Sequence, residues 1–485
     1  MNKTFKSVLS IVLSVLLVLC ALPVAFANEA PAAAHTDTCN CGEEPVVYVA
    51  ALGSATLYQN AGTDDEKVVF RPETGDIVKL VFELLGPIAN LMLTKNYDYF
   101  ADKLISSANK LVGPLANAED GSSTPDITTK EELPTDPKHG LDYSYYFGYD
   151  FRADPVLTAS KLNDYINAVL ELTGHTQVRV RASSMGGVVM MSYLQQYSSD
   201  KVKSVIFQNC PINGTAVAGD LFCGNFELNT TAVYRYAATA LPSLLSPFLL
   251  KVVMGLVDGL YYSGILGFII DKLNVVVENC IDKVYAELLI PVFKANCGIW
   301  AFVPDEYYEE AKTFMLGDNA NTELLEKIDF YHYEVQSKSS EILNGLIEKN
   351  IPVMVVSATN IQRTPLVETW KNDSDGTVDT KYSSVGATVA DLWDTLGDGY
   401  VQAIDDGHNH ISPDNRIDAS TCALPDHTWF INEMVHCTTH DGHGALYRWF
   451  FESDNNETPV NVFSNPDYPQ FLQNNIQEQT LTPQK

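Results

Sequence analysis

Arg181-Ala182-Ser183-Ser184-Met185-Gly186-Gly187-Val188 follows directly on a short alternating run from Thr176 to Val180. The alternation predicts a strand, and the residues after it predict a sharp turn into a helix with Ser184 at the apex. The pattern is close to Gly-x-Ser-x-Gly, the nucleophile elbow that lifts a serine hydroxyl above an α/β sheet. Small residues are needed on both sides of the serine, because the backbone there is strained and crowded by its own helix. Ala182 takes the first glycine position and Gly186 the second, with Gly187 beyond it. Serine near glycine also fills ordinary turns, so the stretch draws its meaning from what the rest of the chain supplies.

Outward from the elbow, strand and helix patterns alternate. Pro45 to Ala51 is an apolar, β-branched run ending in Leu52-Gly53-Ser54, a buried strand followed by a turn. Ile77 to Leu111 is amphipathic and predicts helices, and residues 117–140 are polar and predict a loop. Leu141 to Arg152 reads as a second strand, Val156 to Leu172 as a helix, and Val202 to Asn209 as the strand after the elbow. Strands alternating with helices predict a mostly parallel sheet with helices on both faces. The alternation stops over residues 211–345, which read as successive helices, and resumes at Ile351 to Ala358. The expected organisation is a signal peptide over 1–27, a flexible lead-in over 28–44, an α/β core over 45–210 and 346–485, and a helical cap insertion over 211–345. A cap over the carboxyl edge of the sheet would cover the place where open α/β folds bind ligands; a structural helical subdomain accounts for the same pattern. Ala237 to Val277 is largely apolar, but Asp258, several glycines and the upstream prolines disfavour a membrane span over Val252 to Ile270.

Lys3 and Lys6 before the apolar run Val8 to Leu22, with Ala25-Phe26-Ala27 after it, predict a secretory signal peptide cleaved near Ala27 and an extracellular protein. The formal charge of −30 disfavours nucleic acid and anionic membranes as partners. Nine cysteines, of which Cys20 leaves with the leader, form an even set in an exported chain and predict disulfides. Sequence proximity suggests Cys210 with Cys223, Cys280 with Cys297 and Cys422 with Cys437, leaving Cys39 and Cys41 joined to each other or free.

A serine nucleophile needs a histidine base, and the base needs a carboxylate to hold its tautomer. The acid is expected after a late strand, where Asn372-Asp373-Ser374-Asp375-Gly376-Thr377-Val378 stands; Asp375 is chosen, with Asp373 and Asp379 as rivals. The same cluster invites calcium, but an EF-hand register starting at Lys371 lacks its first acid and closing glutamate. The histidine is expected after the last strand, Thr428 to Ile431, which selects His436 over His440, His443 and His427. Backbone N–H groups of Leu52 and Met185 would form the oxyanion hole. His408-Asn409-His410 reads either as a metal pair or as a solvated loop, and neither a cofactor nor a metal is expected.

Taken together these segments resemble the α/β-hydrolases near lecithin:cholesterol acyltransferase and related lipases. Val46 to Ser54 looks like that family's strand and oxyanion loop, with Ala50-Ala51 where the family has Pro-Gly or His-Gly. Tyr149-Asp150-Phe151-Arg152 resembles its Tyr-Asp-Trp-Arg, and Ser184-Met185-Gly186-Gly187 its elbow. Pro211-Ile212-Asn213-Gly214 and Asp375-Gly376-Thr377-Val378 are similar to its later motifs. The resemblance implies the α/β-hydrolase fold and acyl-ester chemistry, with Ser184, Asp375 and His436 as the triad. A small-molecule or lipid ester is the expected substrate, with transient contact to a lipid interface through the cap. Acyl transfer by the same triad and a catalytically silent lipid- or partner-binding protein are the rival readings.

Overall fold

The computed structural model describes residues 43–485 apart from 54, 71–73, 125, 131, 139, 245, 246 and 456–458. The expected leader, most of the lead-in, Cys39 and Cys41 lie outside the described residues.

Eight strands form the main sheet: β1 (Val46–Val49), β2 (Ser144–Phe147), β3 (Val178–Ser183), β4 (Val202–Gln208), β5 (Val353–Thr359), β6 (Thr428–Asn432), β7 (Phe471–Asn475) and β8 (Thr480–Pro483). Their spatial order is β8-β7-β6-β5-β4-β3-β1-β2. All neighbours pair parallel except β7 with β8. β5 is buried at every residue, as a strand covered on both faces must be, and so it opens on the apolar run Val353 to Val356; its Ser357 hydroxyl is satisfied internally by Ser383 and Thr380. Alternate residues serve two cores. Val205, Val353 and Val355 join the cluster under one face, whereas Ile206, Met354 and Val356 join the other with Trp429, Leu446 and Phe450. β7 and β8 escape sequence reading because this end of the sheet is only partly covered and its strands keep polar residues; Pro483 is tolerated in β8 because that strand is the edge, with one side of its ladder open.

The helices follow from local signals. α1 (Thr74–Thr94) and α2 (Tyr97–Val112) pack against each other, while α3 (Pro155–Thr173) and α4 (Met185–Gln196) flank the sheet. In α3 the Asp154 carboxylate accepts from Val156 N, Pro155 opens the first turn, and Gly174 ends the helix at φ 74°. The strand expected over Leu141 to Arg152 shortens to β2, because Arg152 turns back onto Asp150 with Nε and Nη2 and also donates to Ile127 O.

Among the described residues no strand is assigned between Gln208 and Val353. Helices α5 (Ala216–Phe222), α6 (Thr230–Leu244), α7 (Pro247–Tyr262), α8 (Ile265–Val284), α9 (Asp305–Leu316), α10 (Thr322–Phe330) and α11 (Ser339–Glu348) occupy most of that stretch. They enclose a core of their own around Phe222, Trp300, Tyr308 and Leu324. Gly298 lies against Phe151 O and the Met185 side chain so closely that a Cβ there would clash with both, and Gly298 N donates to Arg152 O at 3.4 Å. The helical stretch therefore sits over the carboxyl ends of β2 and β3. No single helix among the described residues is long and apolar enough to cross a membrane; Leu250–Tyr262 and Ile265–Phe293 qualify together but are bent by 78°. Leu256, Tyr262 and Phe268 on this pair are exposed.

The six described cysteines are buried free thiols, so the pairs drawn from sequence proximity are not formed here. Cys210 Sγ meets Ala182 O and Gln208 O, Cys223 Sγ meets Tyr307 O, and Cys297 Sγ meets Gly121 O. Cys422 and Cys437 lie beyond opposite ends of β6. Five strand residues span roughly 16 Å, whereas a disulfide needs Cα atoms within about 7 Å.

Candidate active site

Ser184 sits between β3 and α4 at φ 50°, ψ −123°, a conformation that L-residues avoid. Three features hold it. Ser184 N donates to Gln208 O at 2.9 Å, Gly187 N donates to Ser184 O at 2.9 Å, and α4 presses on β1. A Cβ on Gly186 would stand 2.1 Å from Val49 O, and one on Gly187 would stand 2.4 Å from Cys210 Cβ. This close approach is why both positions are glycine.

Three distant segments meet at the serine. His436 Nε2 is 2.9 Å from Ser184 Oγ, and His436 Nδ1 is 2.6 Å from Asp375 Oδ2. Asp375 Oδ1 accepts from Thr377 N at 2.9 Å and Val378 N at 2.7 Å, while Oδ2 also accepts from Asn209 Nδ2 at 3.1 Å. A second tie runs through the backbone, where His436 N donates to Asp375 O at 2.9 Å. An ionised carboxylate is an acceptor only, as its three other contacts, all donors, require, so the imidazole hydrogen belongs on Nδ1 and the Nε2 lone pair faces the serine hydroxyl. Burial disfavours charge on His436, but the Asp375 carboxylate and the neighbouring Cys437 outweigh it and hold the imidazole pKa well above its ordinary value.

The rival residues have other work. Asp373 accepts from Thr380 Oγ1, Asn360 N and Arg416 Nη2, and burial pushes its carboxyl up to about 6. Asp379 faces Arg363 at 2.5 Å and accepts from Asn372 and Ala216 N. With each carboxylate of the cluster committed to a different partner, the calcium reading has no convergent oxygen set. His440 caps the helix Asp441–Glu452, accepting from Gly442 N, and its other nitrogen meets Asn474. His443 is fully buried, accepts from His440 N, and is pushed down to about 3 by burial. His427 lies just before β6, at the end of that strand remote from Ser184.

Leu52 and Met185 follow strands β1 and β3, which pair directly, with Val49 opposite Ala182. Tyr149 OH donates to Ala50 O at 2.8 Å and so fixes the Ala50–Ala51 peptide, one unit before the peptide that carries Leu52 N–H, and Gly53 turns the chain at φ 75°. Ala50 is fully buried, and its small side chain suits the crowded strand end. Two contributors went unseen in the sequence. Asn209 was read as the end of a strand, yet it braces the acid. Cys437 was read as a disulfide partner, yet its Sγ is 3.3 Å from Ser183 Oγ. A cavity of about 620 Å³ opens beside the Leu52 turn between Ala55, Thr56, Phe147, Gly148 and Tyr165; none of Ser184, His436 and Asp375 lines it.

No protein-family model matches the chain, and no curated protein matches it. Among solved structures it is similar to the crystal structure of the Tle4–Tli4 complex, at 15% identity and a TM-score of 0.21, over 37% of this chain and 48% of that one. A likeness of that size supports neither a fold assignment nor a function.

Proposed function

We propose that the chain is an exported serine hydrolase of the α/β-hydrolase fold that cleaves carboxylic esters of lipid-like substrates through an acyl-enzyme. The observation that carries this reading is the unbroken hydrogen-bonded line from Ser184 Oγ through His436 to Asp375 at the carboxyl edge of the sheet. Ser184 Oγ attacks the ester carbonyl while His436 Nε2 takes its proton. Asp375 keeps the Nδ1 hydrogen in place and stabilises the imidazolium. The N–H groups of Leu52 and Met185 receive the oxyanion. Collapse expels the alcohol, which takes the proton from His436, and a water activated by the same imidazole then releases the acid.

The test is labelling of the native protein with a fluorophosphonate, which reacts only with a serine that a working base activates. One adduct per chain is expected, on the peptide that carries Ser184. No adduct, or an adduct on another serine, overturns the reading.

Ser184 is 7% exposed and His436 8%, so a bulky ester enters only when the covering segments move. The apolar residues exposed on α7 and α8 favour acyl chains over acetate. Each added methylene is expected to raise kcat/KM by up to about fourfold, from ~0.8 kcal/mol per buried methylene, until the pocket ends. A series of soluble p-nitrophenyl esters reads this out, and a steady fall from acetate onward would make the helical insertion a structural cover.

A further inference from the structure

Away from Ser184, Asp406, His410 and Asp426 bring one donor atom each within 4.8 Å of one another. The His410 side chain is fully buried, although it lies on a polar loop. Its Nδ1 is 2.8 Å from Gln470 Oε1. Gln470 Nε2 donates to Pro425 O at 2.7 Å and Thr428 O at 3.2 Å, which leaves Oε1 as the acceptor turned to the imidazole. The ring hydrogen therefore belongs on Nδ1, and the Nε2 lone pair points the other way. There it meets Asp406 Oδ2 at 2.9 Å and Asp426 Oδ1 at 3.5 Å. Asp426 Oδ1 is buried and has no hydrogen-bond partner. With the hydrogen on Nδ1, three electron pairs lie within 4.8 Å of one another and no hydrogen stands between them.

That arrangement is what a bound cation requires. A ligating histidine characteristically has its second nitrogen held by an acceptor, as Gln470 holds this one. Donors bound tetrahedrally at ~2.0–2.1 Å stand on the order of 3.3 Å apart, and the two observed distances bracket that value. One imidazole and two carboxylates suit zinc better than calcium, which takes six or more oxygens. The loop is also preformed. Asp406 Oδ1 accepts from His408 N, Gln402 Oε1 accepts from His410 N, and Gln402 Nε2 donates to Ile404 O and His408 O. Pro425–His427 leads directly into β6, and Gln470 stands just before β7. The cluster thus lies at the amino ends of these strands, the edge opposite Ser184.

We infer that Asp406, His410 and Asp426 bind one zinc-class divalent cation, which staples the loop 402–410 to the start of β6. The inference stands apart from the ester chemistry, since its site and readout are separate from the serine. The rival is a proton on His410 Nε2, giving an imidazolium between two carboxylates with no metal. The test uses the untagged full chain, stripped with a chelator, re-equilibrated with micromolar free zinc and desalted. Mass spectrometry is expected to find one zinc per chain, and zinc is expected to raise the melting temperature. Asp406→Asn changes an exposed side chain and is expected to fold, yet to lose the bound zinc and the thermal shift; His410→Gln is expected to do the same. Millimolar calcium is expected not to displace the metal. A wild-type chain that retains no zinc, variants that retain as much as wild type, or equal competition by calcium would each overturn the inference.

Discussion

Ser184→Ala is expected to lower ester turnover by about 10⁴- to 10⁶-fold, the range lost when the nucleophile of a cooperating triad is removed. Binding is expected to persist, because the substitution deletes one oxygen and leaves the elbow in place. Ser184 already holds φ 50°, and alanine carries the same Cβ into it, so the melting temperature should stay within about 2 °C. Ser183 supplies the control. Its hydroxyl faces Cys437 Sγ rather than His436, so Ser183→Ala should cost less than about tenfold. The measurement is kcat on one soluble ester for both variants, with thermal melts alongside. If Ser183→Ala were the inactive one, the nucleophile would be misplaced by one residue.

Asp375→Asn carries the second large effect. The amide can present its NH₂ to His436 and favour the wrong imidazole tautomer, and a loss of about 10⁴-fold in kcat is expected. The pH profile gives a sign that a merely structural lesion would not. His436 acts as a base only when neutral. Burial opposes its charge, but Asp375 and Cys437 hold its pKa well above the ordinary value. In the wild-type protein kcat/KM for ester hydrolysis should therefore rise with pH along a limb lying above ~6.5. Removing the carboxylate charge takes away that support, so the limb of Asp375→Asn should move to lower pH even as its plateau collapses. Asp373→Asn leaves the contacts to His436 untouched and should keep the wild-type limb. A variant series in which Asp373→Asn shifts the limb and Asp375→Asn does not would transfer the role to Asp373.

The contrast between those two aspartates marks where sequence reading stops. Asp373, Asp375 and Asp379 share one short acidic loop, and apart from the resemblance of Asp375-Gly376-Thr377-Val378 to a known motif, their local composition does not separate them. They are separated by partners drawn from elsewhere: Arg416 for Asp373, Arg363 for Asp379, and Asn209, His436 and two backbone N–H groups for Asp375. The histidines sort in the same way. His440 and His443 are used up in capping the helix that follows, which leaves His436 turned toward the serine. Cys422 and Cys437 show the opposite failure, because nearness in sequence counts for little when a strand runs between two thiols.

Sequence by itself determined the parallel sheet and the place of Ser184 at a strand-to-helix turn. A strand buried on both faces must be mainly apolar, as Val353 to Val356 is, and a strand that turns abruptly into a packed helix must have glycine where Gly186 meets Val49 O. Both are local demands on residue type, so they leave a local trace. Tertiary structure alone decided the strands β7 and β8 at one end of the sheet, the bracing of Asp375 by Asn209, the fate of each described cysteine, and the meeting of Asp406 with His410 and Asp426. These depend on which side chain arrives from a distant segment at a given ångström, and any of several chemically equal residues could have been the one to arrive.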